Sequence, residues 1–166
     1  MRNLGYALFL LLVAAGLAAC QPRAHRDPLA DAPEDVPAGS TFTLNQSIVI
    51  PAGSPAVYFQ DAQLVTAGGL RPRYAYCKFG TDDPASTERE IKPQPFTVSG
   101  VEYEEKASGP VGEAVSLTRM NLQTSQKVQG YNMTCGLPGA AESARFVTVS
   151  EINGAIGAFF TLKRLF

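Results

Sequence analysis

The sequence predicts a mainly β protein, a small antiparallel β-sandwich or partly open barrel with one short C-terminal helix. Three observations carry this expectation. Fifteen glycines and twelve prolines punctuate the chain, and tryptophan is absent. The apolar residues between these breaks fall in short alternating runs rather than at helical spacing. A helix start signal occurs only near the C-terminus.

Taken in order, Phe42, Leu44, Ile48 and Ile50 alternate across TFTLNQSIVI, residues 41–50, which predicts an extended segment with one buried face. Gln46 falls on that face, so the segment can divide into two short strands. PAGSP at 51–55 is a turn, and AVYFQ resumes the strand pattern at Ala56. QLVT at 63–66 can fold back across Asp61-Ala62, although Asp-Gly is the pair such a turn prefers. AGGLRP breaks the pattern. RYAYCKF at 73–79 then alternates, with Ala75, Cys77 and Phe79 on one face.

TDDPASTERE reads as a polar loop. PFTVSGVEYE at 95–104 changes phase at Gly100, as a β-bulge would make it. After the KASGPVGE loop, AVSLTRMNL also changes phase, following Leu117. KVQGYNMTC places Tyr131, Met133 and Cys135 on one face, and GLPGAAES ends it. Thr148-Val149-Ser150-Glu151 fits a capping box. The helix it opens, running through EINGAIG, is too short to persist alone and must pack on the sheet. AFFTLKRL at 158–165 reads as a closing strand. The pattern gives about seven or eight strands in one domain spanning 41–166.

The first forty residues are of another kind. Arg2 precedes sixteen uncharged residues, Leu4 to Ala19. That run is short of the ~20 residues that span a bilayer and suits the apolar core of a signal peptide. Leu17-Ala18-Ala19-Cys20 resembles the lipobox of bacterial lipoproteins. The resemblance implies a lipoprotein signal peptide over 1–19, cleavage before Cys20, and acyl chains on the thiol and new amino terminus of Cys20. Two or three chains, at ~0.8 kcal/mol per buried CH₂, hold a protein on a membrane almost permanently. A plain signal peptide cut after Ala19 fits less well, because Leu17 is bulkier than the small residue such a site prefers there. A retained membrane helix is the third alternative. Gln21, where inner-membrane lipoproteins tend to carry Asp, implies by the same resemblance the outer membrane and a periplasm-facing domain.

QPRAHRDPLADAPEDVPAGS at 21–40 holds four prolines and almost no large apolar group. It cannot bury enough surface to offset its ordering entropy. Residues 20–40 therefore read as the lipidated Cys20 and a disordered tether, with an r.m.s. reach of roughly 25 Å. His25, the only histidine, lies in this tether and reads as solvated.

Three cysteines are an odd number for an oxidising compartment. With Cys20 lipidated, Cys77 and Cys135 remain, both on apolar faces of predicted strands. They can form a disulfide or stay as two buried free thiols, and an oxidising envelope favours the bridge. The lipobox, IVIPAG (48–53), VYFQDAQ (57–63), YAYC (74–77), IKPQPFTV (91–98), Cys135 and EINGAIGAFFTL (151–162) together resemble a group of uncharacterised proteobacterial lipoproteins over the whole mature chain. That resemblance implies the disulfide and the single β domain. It implies no activity and carries over no catalytic residue.

Little in the folded part suggests catalysis. It contains no histidine, which removes the usual Ser-His-Asp and Cys-His arrangements. Lys78, Lys92, Lys106, Lys127 and Lys163 stand in no SxxK setting. Glu102, Glu104 and Glu105 cluster, but Glu102 and Glu104 read as a solvated strand face that discourages edge pairing. Asp82, Asp83, Glu88 and Glu90 lack the spacing of a calcium loop. No metal or other cofactor is expected. The net charge of −1 gives no reason to expect nucleic acid.

The best candidate surface is Arg71, Tyr74, Tyr76 and Lys78. On a strand, Tyr74, Tyr76 and Lys78 would share the face opposite Ala75 and Cys77, where they could stack on a sugar or bind an anion. The plainer reading is that these tyrosines fill cross-strand pairs. Tyr58, Phe59 and Gln60 form a second candidate. The expectation is a non-enzymatic lipoprotein of the outer membrane, attached through its N-terminal lipid. Its periplasmic β domain would bind or scaffold a protein or glycan of the cell envelope. A small-ligand carrier with a cavity inside the barrel is the alternative, and an envelope enzyme ranks third.

Overall fold

The computed structural model describes residues 36–125, 130–139 and 145–165. The expected signal peptide, Cys20, His25, most of the expected tether and Lys127 lie outside them. Ten strands and one α-helix are found among the described residues. They are β1 (Thr41–Leu44), β2 (Ile48–Ile50), β3 (Ala56–Gln60), β4 (Gln63–Val65), β5 (Tyr76–Gly80), β6 (Arg89–Ile91), β7 (Pro95–Lys106), β8 (Val115–Gln123), β9 (Tyr131–Pro138), α1 (Val149–Ile156) and β10 (Phe160–Lys163). Eight strands form one antiparallel sheet in the order β10-β1-β7-β8-β9-β5-β3-β4, and β2 pairs separately with β6. Gln46 thus does divide the 41–50 segment, and its two strands join different sheets.

The large sheet curls into a half-open barrel. Phe160 on β10 and Phe59 on β3 lie six strands apart in sheet order, roughly 29 Å in a flat sheet, yet their ring centroids are 5.7 Å apart. Phe160 also meets Phe79 at 5.0 Å and Phe42 at 6.4 Å. Phe42, Phe59, Phe79 and Phe96 are fully buried on the concave face, joined by Met120, Met133 and the isoleucines of β2 and β6. Edge-to-face pairs such as Phe79–Phe96 add directional attraction to the burial. Helix α1 packs against β3, β5 and β10. It turns Val149, Ile152, Ala155 and Ile156 to the core, as a helix too short to stand alone must.

The expected capping box is present. The Glu151 amide donates to Thr148 Oγ1, and the Thr148 amide donates to Glu151 Oε2. At its other end, α1 meets the β3–β4 turn, where the Ala62 amide donates to the Ala155 carbonyl at 3.1 Å. Asp61 and Ala62 both have positive φ, 50° and 60°, the backbone that a two-residue hairpin with right-handed strand twist requires. For alanine this conformation costs about 1–2 kcal/mol, and the helix end holds it in place. Gly157, itself at φ 50°, lies so close that a Cβ there would overlap Ala62.

Cys77 on β5 and Cys135 on β9 stand directly opposite in register. Their Cα atoms are 4.0 Å apart and their sulfurs at bonding distance. The bulge expected in β7 lies between Val98 and Gly100, and it keeps both Val98 and Val101 against the core.

Four details differ from the sequence reading. Ten strands form where about seven or eight were expected, and β6 begins at Arg89, inside the TDDPASTERE stretch that reads as a polar loop. Strand β8 has no irregularity after Leu117: its pairing with β7 and β9 is continuous from Val115 to Leu122. Its two apolar sets lie on opposite faces. Met120 and Leu122 point to the main core, while Val115 and Leu117 build a second cluster on the convex face with Leu70 and Tyr76. Strand β5 begins at Tyr76 rather than Arg73, because Arg73 takes φ 65° and breaks the extended run. The packed body also includes the last residues assigned to the tether. Val36 is 3% exposed and Ser40 1%, and Ser40 and Gly39 exchange backbone hydrogen bonds with Val98.

Candidate functional site

Strand alternation builds a site on the convex face. One cross-strand row runs Tyr58, Lys78, Thr134, Arg119, Glu102 across β3, β5, β9, β8 and β7. The next row runs Tyr76, Gly136, Leu117, Glu104. Gly136 is needed here. A Cβ at that position would come within 2.7 Å of Leu117 and 3.3 Å of the Tyr76 ring, so its absence lets the rows close over the strand. Beyond β7 the chain passes over these rows through Lys106, Ser108, Gly109 and Pro110. The result is a pocket of about 200 Å³ between that loop and the sheet.

Tyr58 and Tyr76 form one wall, with ring centroids 6.3 Å apart. Burial, with Tyr58 beside it, pushes the Tyr76 phenol up to about 12, so it stays neutral. Lys78 lies half-buried in the pocket lining. Its pKa is lowered, first by burial and then by the charges of Arg119 and Lys106, with Asp82 acting weakly in the other direction. Asp82 is held elsewhere: Arg119 Nη2 donates to Oδ1 at 2.6 Å and Asn132 Nδ2 donates to the same oxygen at 3.1 Å. Lys106 pairs with Glu104 at 3.3 Å. Among the described residues, Lys78 has no ion-pair partner. The lining therefore presents ammonium groups, the Ser108 and Thr134 hydroxyls and two aromatic rings, and it includes no carboxylate.

The sequence candidates divide between this pocket and a neighbouring loop. Tyr76 and Lys78 line the pocket. Arg71 and Tyr74 do not: Arg71 lies 4.3 Å over the Tyr74 ring and pairs with Asp61. Gln60, from the second candidate group, explains the separation. Its buried amide donates to the carbonyls of Arg71 and Tyr74 at 3.1 and 3.2 Å and accepts from the Arg71 amide at 2.7 Å. That clamp turns the 71–74 segment off the strand. Phe59 belongs to the core, and Tyr58 lines the pocket. Thr134, Lys106 and Ser108 are absent from the sequence candidates. Thr134 was legible as the residue facing away from Met133 and Cys135, whereas the loop residues gave no signal.

Glu102 and Glu104 lie on the exposed far half of β7, as expected of a solvated face. Glu102 accepts from Asn121 at 2.9 Å. Among the described residues, no group of three His, Cys, Asp or Glu side chains is placed to hold a metal ion. The class these features define is a cysteine-paired, half-open β-barrel domain with a small convex-face pocket. No family model, curated protein or solved structure matches the chain.

Proposed function

We propose that this protein is a lipid-anchored outer-membrane lipoprotein whose periplasm-facing β domain binds a partner of the cell envelope and performs no chemistry of its own. The anchor rests on Leu17-Ala18-Ala19-Cys20 and the tether behind it. The single observation favouring the binding role is the convex-face pocket, a concave site with polar groups converging on aromatic walls. Its lining carries hydrogen-bond donors and includes neither a histidine nor a carboxylate. A carrier with its ligand inside the barrel fits less well, because Phe42, Phe59, Phe79, Phe96 and Phe160 fill the concave face.

Two measurements test this reading. Cys20→Ser should move the protein from the membrane fraction to the soluble one, and persistent attachment would overturn the lipid anchor. A photo-crosslinking amino acid in place of Tyr58 should capture a discrete adduct in cells. The same group at exposed Val49, on β2, should not. Equal capture at both positions, or none at Tyr58, would overturn the convex-face binding role.

A further inference from the structure

We propose that the convex-face pocket holds a single-ring ligand bearing a carboxylate or phosphate, with the acid group on Lys78 and the ring against the Tyr58–Tyr76 wall. This rests on the reading of that pocket as a binding site and adds the chemical class of the ligand.

Charge is the first argument. Lys78 sits mid-sheet, flanked by Tyr58 and Thr134 in register, with Arg119 and Lys106 as cationic neighbours and Asp82 already bonded to Arg119 and Asn132. A half-buried ammonium among other cations, without an ion-pair partner among the described residues, is costly unless an anion completes it. No carboxylate lines the pocket to repel that anion. The Ser108 hydroxyl can donate to its remaining oxygens, as can Thr134 on releasing its 3.5 Å bond to Asn132 Oδ1, and Lys106 at the rim adds attraction that Glu104 partly offsets.

Size is the second argument. A dry engineered cavity of about 150 Å³ holds one benzene ring. At about 200 Å³, this pocket has room for one ring and its acid group, and any further unit of a larger ligand would lie outside it. The wall chemistry agrees. Half-buried Tyr58 offers a ring that can stack on an aromatic ring or on the apolar face of a sugar, while Tyr76, 3% exposed, backs that wall, and Val115 and Leu117 form the apolar floor. Charge-assisted hydrogen bonds then select the anion over its neutral counterpart.

The test uses the full-length protein in non-ionic detergent and ligand-detected saturation-transfer NMR. The probes are benzoate, phenyl phosphate, glucuronate and glucose 6-phosphate, against neutral benzamide and glucose. At least one anion should bind at millimolar concentration, about 10- to 100-fold more tightly than its neutral counterpart. Lys78→Met, which keeps the apolar stem, should remove that preference, and Lys78→Arg should keep most of it. Carboxylate against phosphate separates the two acid groups, and benzoate against glucuronate separates the two ring types. Equal binding of neutral and anionic probes, unchanged anion binding by Lys78→Met, or no binding by any anion would each overturn the proposal. An in-cell adduct at Tyr58 alongside no anion binding would leave the partner-binding role standing and remove this one alone.

Discussion

Opening the Cys77–Cys135 bridge is expected to destabilise the domain by about 4 kcal/mol. The two cysteines are 58 residues apart, and on the chain-entropy account closing a loop of that length removes about this much freedom from the unfolded state. Little should change in the folded state. Both cysteines are buried in the core, and backbone pairing of β5 with β9 continues on either side, from Tyr76↔Gly136 to Gly80↔Asn132. For a body of about 130 residues, an unfolding entropy of ~2.1 cal/mol/K per residue converts the loss into a Tm decrease of about 15 °C. Guanidinium unfolding with and without reductant reads the effect, and a Cys77→Ala/Cys135→Ala variant checks that reductant acts only through this pair. Because the reduced chain unfolds to a more open ensemble, its m value should also rise. If reduction shifts stability by less than about 1 kcal/mol and leaves m unchanged, the unfolded-state argument is refuted.

Two further predictions concern α1. Arg145, with its side-chain hydrogen bonds to Glu151, and then the Thr148 contacts hold the Glu151 carboxyl at about 2, below its ordinary 4.5. A depressed carboxyl stabilises the fold fully above the ordinary value and loses that contribution as pH falls through the folded one. Glu151→Gln should therefore cost about 1 kcal/mol at neutral pH, a modest figure because water screens the half-exposed Arg145 pair. The gap from wild type should close between pH 4.5 and 2; a gap constant in urea midpoints across that range would contradict the assignment. Gly157→Ala should cost more than about 2 kcal/mol, since it adds left-handed strain to an overlap with Ala62. An unchanged urea midpoint would show that this junction yields freely.

The sequence revealed the elements better than their faces. The phase change at Gly100 marked a real bulge because Phe96 and Val98 before it and Val101 after it all face one core. The similar change after Leu117 marked none. There the inward positions Ser116 and Thr118 are buried hydroxyls, and the apolar residues face a second cluster. A period-2 pattern gives the same signal for a bulge and for a strand buried on both sides, so the convex cluster and its pocket stayed hidden. The candidate surface was half legible for a related reason. Tyr76 and Lys78 lie on a true strand, whereas Arg71 and Tyr74 belong to a turn fixed by Gln60, a contact eleven to fourteen residues away that no local pattern encodes. The lipobox-like segment and the folded body raise separate questions, and the pocket bears only on the second.

The position of β10 has a consequence for how the protein comes into being. Strand β1 is paired along its whole length with β10, from Thr41↔Lys163 to Leu44↔Phe160, and the Leu165 amide donates to Ser40 Oγ. A chain that emerges from a ribosome or a translocation pore in order delivers β10 only after every other strand of this sheet. Until Phe160 arrives, the aromatic centre lacks the ring that touches Phe42, Phe59 and Phe79, and one side of β1 stays open to mispairing. Contacts of such long range make closure slow and late. Closure of the sheet edge at β1 therefore waits on β10, and β1 must be kept from other partners until β10 has emerged.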